Sequence, residues 1–203
     1  MTDDEADSDG RLSTDHYYYD LPKELIAQHP LANREDARLM QIDRASGEIN
    51  HHHIRDLNQL LKSGDCLVLN DTKVIPAKLV GFRAQTRGRW QGLFLEADDS
   101  GNWRVLCKTR GKAQPGESIV LQDRFGVERM KLELVTRLED GSWVVRPFAE
   151  GDAEEILQGI GRIPLPNYIR GGNMVDSDMN DYQTVFARRP GAVAAPTAGE
   201  MRS

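Results

Sequence analysis

The segment Asn70-Asp71-Thr72-Lys73 sets an amide, a carboxylate, a hydroxyl and an ammonium side by side. That set suits the oxygens of a sugar and a phosphate, since it offers donors, acceptors and one positive charge within four residues. It follows Cys66-Leu67-Val68-Leu69, an apolar run that reads as a short strand buried on both faces. Ligands of α/β sheets sit just past the carboxyl ends of such strands. The same four residues also read as a turn with a solvated lysine, and periodicity alone leaves both readings open.

Residues Gly191 to Gly199 read Gly-Ala-Val-Ala-Ala-Pro-Thr-Ala-Gly. Side chains this small let a backbone lie tightly against a ligand, and Thr197 adds a hydroxyl. Only Glu200, Met201, Arg202 and Ser203 follow, so the segment is expected to be a binding-site element from the middle of a larger fold. His51-His52-His53 raises a metal site, but in a strand His51 and His53 face one way and His52 the other. No acidic or cysteine cluster beside them has a ligand spacing, so no metal is expected. Cys66 and Cys107 each lie within an apolar run and read as buried structural thiols, which fits a reducing cytoplasm. Asp181 to Ala187 alternates polar and apolar, with Tyr182 and Phe186 expected to pack inward.

These residues need a scaffold, and 203 residues suffice for one or two domains with a real core. Residues 1–15 carry six acidic side chains against Arg11 alone, so residues 1–16 are expected to be a disordered acidic tail. The net charge of −6 argues against a nucleic-acid partner, yet residues 78–147 hold 13 Lys/Arg against 9 Asp/Glu and are mildly basic. No apolar run approaches the roughly 20 residues of a membrane span, and the acidic start is unlike a signal peptide.

Asp20 to Ile26 predicts a short helix with Asp20 as its N-cap and His29-Pro30 beyond its end. Arg38–Ile42 and Glu48–Ile54 predict a hairpin about Ala45–Gly47, and Asp56 is expected to cap a second helix ending near Gly64. From Ala77 to Pro147 six strand candidates recur between turns: 78–84, 90–96, 103–108, 118–122, 127–138 and 142–146. Regular spacing without an intervening helix predicts a small antiparallel barrel. Trp90, Trp103 and Trp143 fall in those strands and read as packing residues rather than base-stacking platforms. Asp152–Gln158 returns to helix. The fold class expected is therefore α/β: a barrel-like α/β domain over 17–76 and 148–203, incomplete here, with a β-barrel inserted over 77–147.

In order, these segments resemble the bacterial S-adenosylmethionine:tRNA ribosyltransferase-isomerases of queuosine biosynthesis. The likeness runs over residues 17–199: Asp20-Leu21-Pro22 to Gln28-His29-Pro30, Arg34, Arg38-Leu39, Gly47-Glu48-Ile49 with His51, and Asp56-Leu57. It continues through Gly64-Asp65, Asn70 to Lys78, Pro164 to Ile169, Tyr182 to Ala187, and Gly191 to Gly199. Any one match is weak; the ordered set is specific. The resemblance implies transfer and isomerisation of the ribosyl part of S-adenosylmethionine onto 7-aminomethyl-7-deazaguanine at the tRNA wobble position, giving epoxyqueuosine with release of adenine and methionine. It implies S-adenosylmethionine as co-substrate, tRNA as partner, a cytoplasmic monomer, no membrane and no metal.

By the same resemblance Asp71, Thr72 and Lys73 are the expected catalytic residues. Substrate-binding residues are expected at Asp20, Gln28, Arg34, Asn70, Tyr168, Tyr182, Gln183, Thr184, Ala195, Pro196, Thr197 and Gly199. Departures from the family pattern are Lys73 and Lys78 where Arg is usual, Ala37 for Ser and Phe186 for Tyr. Glu200 to Ser203 stand where the family continues with Leu-His-Phe, so the chain as given is expected to lack that His and to be inactive and poorly soluble. The competing readings are a non-catalytic RNA-binding barrel module and a His-rich metal-binding β protein.

Overall fold

In the computed structural model, which describes residues 13–194, Arg38–Ile42 (β1) and Ile49–His53 (β2) form the expected antiparallel hairpin. The Asp43 carboxylate accepts from the N–H groups of Ala45 and Ser46, both at 2.9 Å, and this Asx turn fixes the register that sets Ile42 opposite Ile49. His52 Nε2 lies 3.1 Å from Gln41 Oε1, so this ring has a side-chain neighbour on its own hairpin. Of the acidic tail, residues 1–12 lie outside the described residues; Ser13 caps a 3-10 turn at Thr14–Tyr17.

Two expected elements are reduced and a third does not form. Around Pro22 there is only a 3-10 turn, Lys23–Leu25, without a side-chain cap from Asp20. Past Asp56 the helix is one turn, Leu57–Leu60 (α1). Leu25 is 71 % exposed, and short helices hold only when an apolar face is buried. Residues 66–69 are not a strand at all: Val68 is 86 % exposed and Cys66 is an exposed thiol, not a buried one. A doubly buried strand needs neighbours at both edges, and none pairs with this run among the described residues. Thr72–Val74 (β3) then forms a short strand immediately before the barrel.

The barrel strands are Lys78–Arg83 (β4), Arg89–Ala97 (β5), Trp103–Thr109 (β6), Ser118–Gln122 (β7), Glu128–Arg137 (β8) and Trp143–Phe148 (β9). They close in the order β4-β5-β6-β9-β8-β7, every pairing antiparallel, with β7 returning to β4. Alternate residues point inward, so Leu79, Val105, Ile119, Leu121, Leu132, Leu134 and Val145 fill the interior. All three tryptophans belong to that core, as their strand positions require, and the Phe94 and Trp103 rings meet edge to face at 5.3 Å.

Ala153–Ile160 (α2), capped by Asp152 Oδ1 accepting from Glu155 N–H at 2.8 Å, adds Leu157 and Ile160 to the barrel core. It ends at Gly161, where a Cβ would lie 1.8 Å from the Pro76 carbonyl oxygen; only glycine lets the two backbones pass. Asp178–Asp181 (α3) and Arg189–Ala192 (β10) complete the described elements, and β10 pairs in parallel with β3. A second, smaller core of Val74, Ile163, Leu165, Ile169 and Tyr182 lies beneath that pair. The architecture is thus a closed six-stranded antiparallel barrel joined to a parallel strand pair and a hairpin. Its α-helices are few: among the described residues they span four, eight and four residues, and no helical layer covers the parallel strands.

Candidate functional site

β3 is held at both edges by one stretch of chain. On one edge the ladder sets Thr72 opposite Arg189 and Val74 opposite Ala192; the Asp71 carbonyl accepts from Arg188 and Arg189 N–H at 2.7 and 3.0 Å, and Ile75 N–H donates to Ala192 at 2.9 Å. Gly191 takes φ +146° in the bulge between Pro190 and Ala192, a value side chains disfavour. On the other edge the Gln183 amide replaces a strand: its Nε2 donates to the Val74 carbonyl and its Oε1 accepts from the Val74 N–H, both at 2.8 Å. These contacts satisfy backbone groups that burial would otherwise strand. Val193, just past β10, packs on the barrel core and ties the clasp to it.

Arg34 fixes the clasp in turn. Its guanidinium donates to the carbonyls of Gln183, Asn180 and Asp181, the last at 2.8 Å, which places a cation at the C-terminal end of α3. Gln28 makes the companion contact: its Nε2 donates to the Tyr168 carbonyl at 3.1 Å and its Oε1 accepts from Arg170 N–H at 2.8 Å. Arg170 reaches back to the Gln28 carbonyl and holds both Asp178 oxygens at 2.5 Å. That pair is largely buried, with one guanidinium nitrogen, Nη2, shared between the two carboxylate oxygens, and Val175 N–H donates to the same carboxylate.

Seven of the expected residues are therefore brought into one connected frame: Gln28, Arg34, Asn70, Asp71, Thr72, Tyr168 and Gln183. Asn70 Oδ1 accepts from Thr72 N–H at 2.9 Å, so the turn reading of Asn70-Asp71-Thr72 is realised together with the strand that follows. The three expected catalytic side chains do not all face one way. Thr72 shares the inward face of Val74, whereas Lys73 alternates to the opposite, exposed face. Asp71 is half-exposed, with its carboxylate 3.5 Å from Arg189 Nε.

Gln28, Arg34 and Gln183 spend their polar groups on backbone, so their observed role is to position others. Tyr182 is buried in the second core, Asp20 is exposed, and Tyr168 presents a ring that is 61 % exposed. Thr184 is buried, and its hydroxyl has no hydrogen-bond partner among the described residues. Ala195, Pro196, Thr197 and Gly199 lie outside the described residues. Sequence reasoning missed Arg170 and Asp178. The one available signal was Gly171-Gly172 after Arg170, a backbone turn that carries Arg170 itself to φ +45°. No group of three or more metal-ligating side chains occurs among the described residues, and no helix there is long and apolar enough to cross a membrane.

A profile of the queuosine biosynthesis protein family matches residues 14–201, and the chain belongs to that family. The S-adenosylmethionine:tRNA ribosyltransferase-isomerase of Caldanaerobacter subterraneus is 42 % identical over 188 residues, and that of Acetivibrio thermocellus 43 % identical over 188 residues. Each match covers 93 % of this chain and 53 % of the relative, so the chain spans about half the length of the curated relatives it matches. A crystal structure of an S-adenosylmethionine tRNA ribosyltransferase from Thermotoga maritima is 32 % identical, with a TM-score of 0.34 over 75 % of this chain and 51 % of that one.

Proposed function

We propose that this chain provides part of the site at which the ribosyl group of S-adenosylmethionine is transferred to 7-aminomethyl-7-deazaguanine at the tRNA wobble position, with isomerisation to epoxyqueuosine and release of adenine and methionine. The observation that carries the reading is the clasp on β3, which holds Asp71-Thr72-Lys73 between a strand and a side-chain amide in a member of this family.

The chemistry needs a base, an anion partner and hydroxyl contacts. A sulfonium acidifies the carbon attached to it, so a carboxylate placed at C5′ can take that proton; the aminomethyl nitrogen must be neutral to attack, and adenine must be assisted as it leaves. In this reading Asp71 is the base or orients the amine, Thr72 and Thr197 contact ribose, and Lys73 meets a phosphate or developing negative charge. Tyr168 offers an exposed ring for stacking, and Asp20, Asn70, Tyr182, Thr184, Ala195, Pro196 and Gly199 complete the binding set. We further place β3 and β10 in a barrel-like α/β domain of residues 17–76 and 148–203, with the barrel of 77–147 as an insertion after an acidic tail of residues 1–16. The protein acts in the cytoplasm as a monomer, without a metal or a membrane.

The direct test grafts residues 14–201 of this chain over the matching part of the Caldanaerobacter relative. The chimera is incubated with S-adenosylmethionine and tRNA carrying the aminomethyl base, and the tRNA nucleosides are read by mass spectrometry. Epoxyqueuosine supports the proposal. A folded chimera that binds tRNA and leaves the base unchanged favours the RNA-binding module instead.

A further inference from the structure

Lys78 and Arg162 face each other across an isolated antiparallel bridge: Lys78 N–H donates to the Arg162 carbonyl at 2.9 Å, and Arg162 N–H donates back at 2.8 Å. Directly opposed residues in such a pair carry their side chains on the same face, so the bridge sets two cations side by side, an arrangement normally avoided. Their side chains border a small cavity of about 100 Å³, walled also by Val80, Gln91, Gly172 and Asn173. Among the described residues no carboxylate lines it. Asp123, the acid whose charge reaches Arg162, has its carboxylate hydrogen-bonded by Arg129 Nε and by the N–H groups of Phe125 and Val127.

Both cations keep donors in hand. Lys78 Nζ gives one proton to the Gly172 carbonyl at 2.7 Å, leaving two of its three. Arg162 gives Nη2 to the Asp123 carbonyl at 2.9 Å, and its Nε is buried without a partner among the described residues. Burial lowers the affinity of both groups for their protons; the neighbouring Arg162 charge lowers that of Lys78 further, while the Asp123 charge offsets part of the loss at Arg162. An anion between them reverses each of these costs.

We propose that this cavity, on the outer barrel face where residues 162–174 cross β4 and β5, binds a phosphate group held by Lys78 and Arg162. The volume admits one tetrahedral oxyanion, and the side-chain amides of Gln91 and Asn173 add polar groups at its wall. The phosphate comes either from free phosphate or from a phosphodiester of bound tRNA; only the second source rests on the ribosyl-transfer reading above.

The experiment titrates the chain with inorganic phosphate at constant ionic strength, balanced with chloride, and follows backbone amide resonances and melting temperature. Saturable shifts at Gly172 and Asn173 and a rise in melting temperature are expected, lost in Lys78→Gln and retained in Lys78→Arg. A second arm measures the salt dependence of binding to a tRNA anticodon stem-loop. There Lys78→Gln should lower the log–log slope by about one if the phosphate is a phosphodiester, and leave it unchanged if it is free phosphate. Should Lys78→Gln fail to fold, the wild-type resonance map decides alone. No saturable shift at Gly172 or Asn173 up to tens of millimolar phosphate overturns the proposal, whether or not the protein transfers ribosyl groups.

Discussion

Gln183 does for Val74 what a neighbouring strand would do, and that fixes what its loss costs. Gln183→Ala leaves one N–H and one C=O of a buried residue unpaired, so it should destabilise the protein by about 1–3 kcal/mol in urea unfolding. Gln183→Glu keeps the acceptor for the Val74 N–H but sets a carboxylate oxygen against the Val74 carbonyl, and should cost at least as much; Gln183→Ala unfolding like the parent would show that the clasp contributes nothing. Asp71 behaves differently, because its backbone carbonyl holds β10 while its carboxylate makes only a long ion pair, 3.5 Å, with the exposed Arg189 side chain. Asp71→Asn should therefore spare the fold while lowering turnover of the chimera by about 10²–10⁴-fold, the range for loss of a general base; near-normal turnover removes it from the mechanism. Asp140 carries a pH prediction. Hydrogen bonds from Ser142 and Arg104 hold its carboxyl down to about 2, against an ordinary 3.8. The folded-state value is depressed, so its contribution is complete above about pH 4 and fades as pH falls toward about 2. Asp140→Asn should shrink the stability change across that window, and an unaltered acid limb would contradict the assignment.

At the scale of elements, Arg34 ties the N-terminal turns to α3 and thereby to the clasp. Arg34→Met should cost about 1–2 kcal/mol of stability, measured by chemical unfolding, by removing a cation and its hydrogen bonds from a helix C-terminus. An unchanged unfolding midpoint would mean that solvent replaces it freely. The hairpin and all six barrel strands were legible because alternation and turn residues act locally. The run 66–69 was misread because periodicity reports apolar character and not the neighbours that a buried strand requires. The site was legible as a set of positions but not as roles. Nothing in the letters Tyr-Gln-Thr at 182–184 says that the ring is core, the amide a strand surrogate and the hydroxyl unpaired. Those outcomes depend on contacts more than a hundred residues apart.

For the whole molecule, the barrel closes on its own strands and carries the larger core, whereas the strand pair rests on a core of five buried residues. Opening of the two parts should therefore be separable. Limited proteolysis is expected to leave a protected fragment running from about residue 77 through the end of α2, whose Leu157 and Ile160 belong to the barrel core, and uniform digestion would show that the barrel depends on what surrounds it. The central proposal is that this chain forms part of a site that moves a ribosyl group rather than the methyl group that S-adenosylmethionine more commonly donates. Its most direct test supplies the chimera with S-adenosylmethionine labelled with carbon-13 either in the ribosyl carbons or in the methyl carbon, and weighs the modified tRNA nucleoside. The account predicts that the ribosyl label is carried into the base and the methyl label is left in methionine. Transfer of the methyl label, or of neither, would contradict it.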